Sequence, residues 1–198
     1  MRWSEGGWRV VVVALLAVLG LQQVGSAGMI RAKATLAQYL IADAWQKTQE
    51  EGGQHRPWPW ADTWPVARLL APVEEVDLYV LAGTSGEALA FGPGLETAAA
   101  MPGGAGASVI AGHRDTHFGF LRLLDRDSPL ELQVADGRTL SYRVIGAEVI
   151  DASRQQIDLD LALPGELQLV TCYPFDALRA GGALRYVVRA IPMEVQRL

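Results

Sequence analysis

The spacing of apolar residues along this chain changes three times. Val10 to Leu21 is an uninterrupted apolar run. Extended to Ile30, the stretch reaches about 20 residues, enough to cross a bilayer as a helix, although Gln22, Gln23 and Ser26 interrupt it. From Ile30 the spacing becomes helical. Ile30, Ala34, Leu36, Ala37, Leu40, Ile41, Ala44 and Trp45 form a stripe near the 3.6-residue period. That stripe predicts either a helix packed on a following domain or a juxtamembrane stalk. Gly52 and Gly53 break it, and Pro57, Pro59 and Pro65 interleave with Trp58, Trp60 and Trp64. Disordered linkers rarely carry so many large aromatics, so this segment reads as an ordered strap, either packed on the domain or seated at a membrane interface. From about Ala67 the pattern turns to β. Val76–Ala82, Ala88–Phe91, Ala107–Ala111, Leu130–Ala135, Thr139–Ile150, Glu166–Cys172 and Leu184–Val195 are short strand-like runs separated by Gly, Pro, Asp and Ser. Gly83-Thr84-Ser85-Gly86 and Asp136-Gly137 read as tight turns, the second as a hairpin signal. Closely spaced strands of this kind predict a mainly β closed barrel or sandwich. The expected organisation is an N-terminal anchor or signal segment over 1–30, a helix and Trp/Pro strap over 31–66, and a β domain over 67–198.

Composition narrows the partners. The 198 residues are 50% hydrophobic and 20% charged, with a net charge of −5 and a pI near 5.2. No basic stripe argues for nucleic acid. Arg2 and Arg9 precede the apolar run, and Arg31 and Lys33 follow it, so charge bias does not orient the segment. It reads as an uncleaved anchor or as a signal peptide cut near Gly25-Ser26-Ala27. Both imply export, and an exported chain with one cysteine is not a disulfide scaffold.

That single cysteine, Cys172, closes an apolar strand. His113 stands in the same setting, after Ala107-Ser108-Val109-Ile110-Ala111-Gly112. Strand ends are where rigid elements hand side chains to clefts. A free thiol with a pKa near 8.5 is about 3% thiolate at neutral pH. An adjacent imidazolium favours the thiolate and can protonate a departing amine. A permanent cation would stabilise the tetrahedral oxyanion. Arg185 and Arg189 both qualify, since an even separation puts them on one strand face. Parity does not choose between them. His55 reads as structural, within the strap, and His117 as a group that bonds within its own loop.

These residues resemble the sortase family. Its histidine stands in a Gly-His motif after a strand, matched by Ala111-Gly112-His113-Arg114-Asp115-Thr116-His117-Phe118. Its Thr-Leu-x-Thr-Cys motif is matched by Gln168-Leu169-Val170-Thr171-Cys172, with Gln168 replacing the first Thr. Its arginine follows about a dozen residues later, a spacing that Arg185 fits and Arg189 does not. Cys172-Tyr173-Pro174-Phe175-Asp176 and the Trp58-Pro59-Trp60 strap further resemble the class GN sortases of Gram-negative proteobacteria. The resemblance implies an eight-stranded closed β-barrel with short helices, preceded by an N-terminal helix. It also implies a membrane-anchored cysteine transpeptidase in the inner membrane, with its catalytic domain facing the periplasm. Cys172 would attack a carbonyl within an LPxTG-like motif near the C-terminus of an exported protein, and an amine acceptor would resolve the thioester. His113 would be the general acid/base and Arg185 the oxyanion or substrate clamp, with Thr171 contributing a contact beside the oxyanion. No cofactor or metal is implied. The alternative is a non-enzymatic, membrane-tethered β domain that binds an envelope partner, with Cys172 buried as a structural residue. Papain-like peptidases place Cys before His, and L,D-transpeptidases carry Ser-His-Gly-Cys; neither pattern occurs here.

Overall fold

The computed structural model describes residues 5–155, 162–177 and 181–193. Helix α1 spans Glu5–Glu51. The strands are β1 (Pro65–Ala71), β2 (Val76–Ala82), β3 (Gly94–Leu95), β4 (Ser108–Ala111), β5 (Pro129–Val134), β6 (Thr139–Asp151), β7 (Leu167–Cys172) and β8 (Leu184–Pro192). Helix α2 (Gly86–Phe91) lies between β2 and β3, and a 3-10 helix covers Gly119–Leu123. The strands close into a barrel in the order β1-β2-β3-β4-β7-β8-β6-β5. β5 pairs with β1 to seal it, with Leu69 opposite Leu132. Closure removes the free edges that an open sheet of this size would expose.

Period-2 patterning determines which side chains fill the barrel. On β5, Leu130, Leu132 and Val134 are buried while Glu131 and Gln133 alternate with them. Ile110, Leu167, Leu169, Val188 and Ala190 join Phe118, Phe120, Leu121 and Leu124 in the main core. Val109, Ile150, Val170 and Val187 form a separate buried cluster. They have the opposite parity to Ile110, Leu169 and Val188, so they lie on the outer face of β4, β7, β8 and β6.

Several sequence expectations change in detail. Ala88–Phe91 is part of a helix, not a strand. The Ser85 side chain accepts from the Ala88 N–H and Glu87 occupies the first turn, and these start signals outweigh a four-residue apolar run. β1 was not among the expected runs. Arg68 is its only polar residue and the next outward position is Leu70, so the run shows no alternation in the sequence; the Arg68 guanidinium pairs with Asp77 on β2 and sits over the Tyr79 ring. β3 is two residues long and has no periodicity to read. It needs Gly94, because a Cβ there would stand 2.1 Å from the Gly83 carbonyl oxygen. The end of the last expected strand, residues 194–195, lies outside the described residues.

The apolar run and the stripe are one continuous helix, and the chain divides into two compact units, residues 1–39 and 40–198. Within the first, Ile30 and Leu36 of the expected stripe are exposed, as are Val10, Leu15 and Leu21. By length and composition this helix is able to cross a membrane. Within the second, Ile41, Ala44 and Trp45 are buried, and Gln49 Nε2 donates to the carbonyls of Val134 and Ala135. The strap is ordered and packed. Trp58 meets Phe91 edge-on at 5.0 Å, and Thr63 donates to the Ala82 carbonyl. Trp64 packs against the main core, while Trp60 stays exposed. His55 bonds the Gly52 carbonyl in its own loop at 2.8 Å, the structural role expected of it.

Candidate active site

Three neighbouring strands, β4, β7 and β8, carry the candidate residues. β4 and β7 run parallel, with Ala111 opposite Val170. The pairing continues past the strand end, where the Gly112 N–H donates to the Val170 carbonyl at 3.0 Å. One further step along that register brings His113 level with Cys172. β7 and β8 are antiparallel, and Cys172 lies directly opposite Arg185. With strands about 4.8 Å apart, His113, Cys172 and Arg185 occupy a row about 10 Å across at one rim of the barrel.

Side-chain parity puts that row on the outer face. Leu169 belongs to the main core and Val170 to the outer cluster, so Cys172 shares the outer face with Val170. Cys172 is half-buried there and is not packed in the core, which departs from a buried structural thiol. His113 is exposed and Arg185 half-buried. Arg185 is held through Nη1, which donates to the carbonyls of Gly182 and Leu184 at 2.6 and 3.0 Å. Its Nε and Nη2 have no hydrogen-bond partner among the described residues.

Arg189 shares Arg185's face but not its circumstances. Its Nε and Nη2 make a two-pronged contact with both oxygens of Glu166, at 2.7 and 2.8 Å. Glu166 is fully buried. Burial pushes its carboxyl upward, but Arg189, the Leu163 N–H and Gln168 together outweigh this and hold it below the ordinary carboxylate value. Arg189 faces Gln168 on β7, four residues and about 13 Å from Cys172. An open depression of about 210 Å³, lined by Ile145, Gly146, Ala147, Glu148 and Arg189, lies beside it.

The glycine before His113 has a steric reason. A Cβ on Gly112 would lie 2.8 Å from the Phe118 ring, a fully buried core residue. Phe118 and His117 both donate their backbone N–H to the His113 carbonyl, at 2.9 and 3.0 Å, so the loop after β4 folds back on the histidine. Thr171 faces inward and its hydroxyl donates to the Gly112 carbonyl at 2.7 Å. That proton is committed to the Gly112 carbonyl beside His113, so of the expected hydroxyl or backbone contact beside an oxyanion the hydroxyl is already engaged. His117 bonds Thr116 within its loop, as expected. Burial and then the charge of His113 lower its pKa.

The sequence assigned no role in the site to Arg114 or to the aromatic residues after Cys172. Arg114 is 7% exposed and bonds the carbonyls of Pro174 and Ala177. Tyr173 stacks on Tyr186 at 6.2 Å, and Phe175 meets Tyr186 edge-on at 5.2 Å. An arginine in a polar loop carries no sequence signal of burial; the Tyr-x-Phe spacing after the thiol was the available hint for the aromatics. Among the described residues, no three or more His, Cys, Asp or Glu side chains converge as a metal site.

Sortase D of Bacillus subtilis (strain 168) is 28% identical over 117 residues, 59% of this chain and 58% of that protein's length; the chain thus matches about three-fifths of that relative. Among solved structures, Clostridium perfringens sortase D5, a transpeptidase, superposes with a TM-score of 0.61 at 19% identity, over 80% of this chain and 99% of that one. Sortase A from Corynebacterium diphtheriae gives 0.58 at 22% identity, over 81% and 86% of the two chains. These two likenesses establish the barrel fold. Residues 69–193 match the family model described as Sortase domain, and the chain belongs to the sortase family.

Proposed function

We propose that this chain is a membrane-anchored cysteine transpeptidase whose nucleophile is Cys172, with His113 as general acid/base and Arg185 as oxyanion clamp. The observation that carries this reading is the row of three strands, with Cys172 opposite Arg185 and His113 one register step beyond the Gly112–Val170 hydrogen bond. Directly opposed residues on antiparallel strands bring their Cβ atoms to about 5 Å, within reach of one tetrahedral centre. The Cys172 thiolate attacks a peptide carbonyl carbon, and Arg185 donates to the oxygen that becomes negative. The C–N bond then breaks, and the proton on His113 goes to the leaving amine. An incoming amine loses its proton to His113, attacks the thioester and releases Cys172 as thiolate.

The substrate is an exported protein with an LPxTG-like motif near its C-terminus. The peptide approaches at the rim, where Cys172 and Arg185 are half-buried and His113 is exposed, above the buried cluster of Val109, Val170 and Val187. The exposed apolar helix within 1–39 is the anchor, and the catalytic unit faces the periplasm. Placement among the Gram-negative class GN sortases rests on the Cys172–Asp176 and Trp58–Trp60 motifs.

Mass spectrometry of the full chain with LPxTG-like peptides and candidate amines tests this reading. A thioester on Cys172 and an amine-transfer product are expected. Both should vanish in Cys172→Ala, and turnover persisting in that variant sinks the mechanism. Arg185→Ala should cost far more turnover per folded molecule than Arg189→Ala, because Arg189 is committed to Glu166; equal losses would remove Arg185 from the site.

A further inference from the structure

Resting on the assignment of His113 and Cys172 above, we propose that Arg114 is a positioning residue: it ties the loop carrying His113 to the loop that follows Cys172 and so holds the acid/base and the nucleophile in one register.

Arg114 follows His113 directly, yet its side chain crosses to the other loop. Nη1 donates to the Pro174 carbonyl at 2.5 Å and Nη2 to the Ala177 carbonyl at 2.9 Å. Asp115 completes the arrangement by accepting from Nε and Nη2 at 2.7 and 3.0 Å. The guanidinium is 7% exposed, whereas the Asp115 side chain is 67% exposed. A buried arginine with four bonds in three directions is a rigid joint, since its planar fork fixes the angles between its acceptors.

The strands alone do not supply this joint. The β4–β7 ladder ends at the Gly112–Val170 hydrogen bond, before the level of His113 and Cys172. Beyond that point, among the described residues, Arg114 supplies the hydrogen bonds between the His113 loop and residues 174–177. The segment it grips sits between Cys172 and Arg185 in sequence and carries Phe175, which packs on Tyr186 beside Arg185. One side chain therefore joins the segments next to His113 and Cys172, and the gripped segment touches the strand of Arg185 through Phe175 and Tyr186. A 1 Å misplacement in a proton-transfer site can cost about 10²-fold in rate, so loosening this joint should be felt in chemistry more than in binding.

The test uses the full chain in detergent, with wild type, Arg114→Ala, Arg114→Lys and, as a control for losing a surface arginine, Arg138→Ala. Arg138 pairs with Asp136 in an exposed turn. Single-turnover thioester formation is followed against peptide concentration, alongside hydrogen exchange of residues 173–185. Arg114→Ala should slow thioester formation at saturating peptide at least tenfold, change half-saturation less than twofold and raise exchange in 173–177. Arg114→Lys should not rescue the rate, because an ammonium keeps the charge but cannot span Pro174, Ala177 and Asp115 together. Wild-type rates in either Arg114 variant overturn the proposal. A loss confined to half-saturation, or unfolding of both variants, also overturns it, by marking Arg114 as a binding or purely structural group. Absence of thioester in the wild type would instead defeat the underlying assignment of Cys172.

Discussion

Gly112 illustrates how a single position can be read for the wrong reason. In the sequence it marks a strand end before a histidine. In the fold it is the only residue type that lets Phe118 close over the top of the core, given that a Cβ would meet that ring at 2.8–3.1 Å. Its carbonyl also accepts from Thr171, tying β4 to β7 one residue from each candidate catalytic group. Gly112→Ala is therefore expected to cost about 1–3 kcal/mol through overpacking, with Phe118 and the His113 loop displaced together. Urea denaturation measures the first effect and the thioester rate the second; a variant with wild-type stability would show that Phe118 has room to yield.

At the scale of elements, the β7–β8 ladder separates two arginines that parity alone leaves equivalent. Arg185 stands at the rim opposite Cys172, and Arg189 stands four residues inward on a buried carboxylate. Removing one partner of such a pair costs about 3–5 kcal/mol. Arg189→Ala should lie at the upper end, because Glu166 has no exposure with which to recover solvent. Glu166→Ala should lie at the lower end, because Arg189 is 34% exposed and can turn to water. The pH dependence follows from the sign of the shift. Glu166 has its folded pKa below the ordinary 4.5, so its contribution is present above that value and is lost as pH falls through the lower, folded one. In Arg189→Ala burial dominates and raises the Glu166 pKa, so that variant should gain stability as pH drops from neutral toward 5. Chemical denaturation of both proteins across that range checks this, and parallel pH profiles would contradict it.

For the whole molecule, the division into residues 1–39 and 40–198 has a direct consequence. The second unit holds the barrel, the strap and the last turns of α1, including Ile41, Trp45 and the Gln49 bonds to Val134 and Ala135. A chain beginning at Leu40 should fold with a melting temperature within a few degrees of the full protein and leave the membrane fraction. A chain beginning at Pro65 loses those contacts together with Trp58 and Trp64, and should be markedly less stable. Thermal melts and carbonate extraction distinguish these outcomes; equal stability of the two truncations would make the strap dispensable.

Much of this architecture is readable from residue order, because most of its strands are runs rich in Val, Ile and Leu bounded by turn signals such as Asp136-Gly137, where Gly137 adopts φ +84°. The Gly-His and Thr-Cys motifs placed the candidate chemistry at strand ends for the same local reason. Elements without a legible period escaped: β3 is two residues long, β1 carries apolar Leu70 at an outward position, and Ala88–Phe91 became a helix through its Ser85 cap. The sequence by itself determined most of the longer strands, which ends carry a thiol and an imidazole, and that an apolar helix precedes them. Only the tertiary structure decided that Cys172 faces Arg185, that Arg189 is spent on Glu166, that Thr171 points inward and that Arg114 crosses between loops. Those are cross-strand and loop-to-loop relations, set between segments as many as 63 residues apart, and no local pattern encodes them.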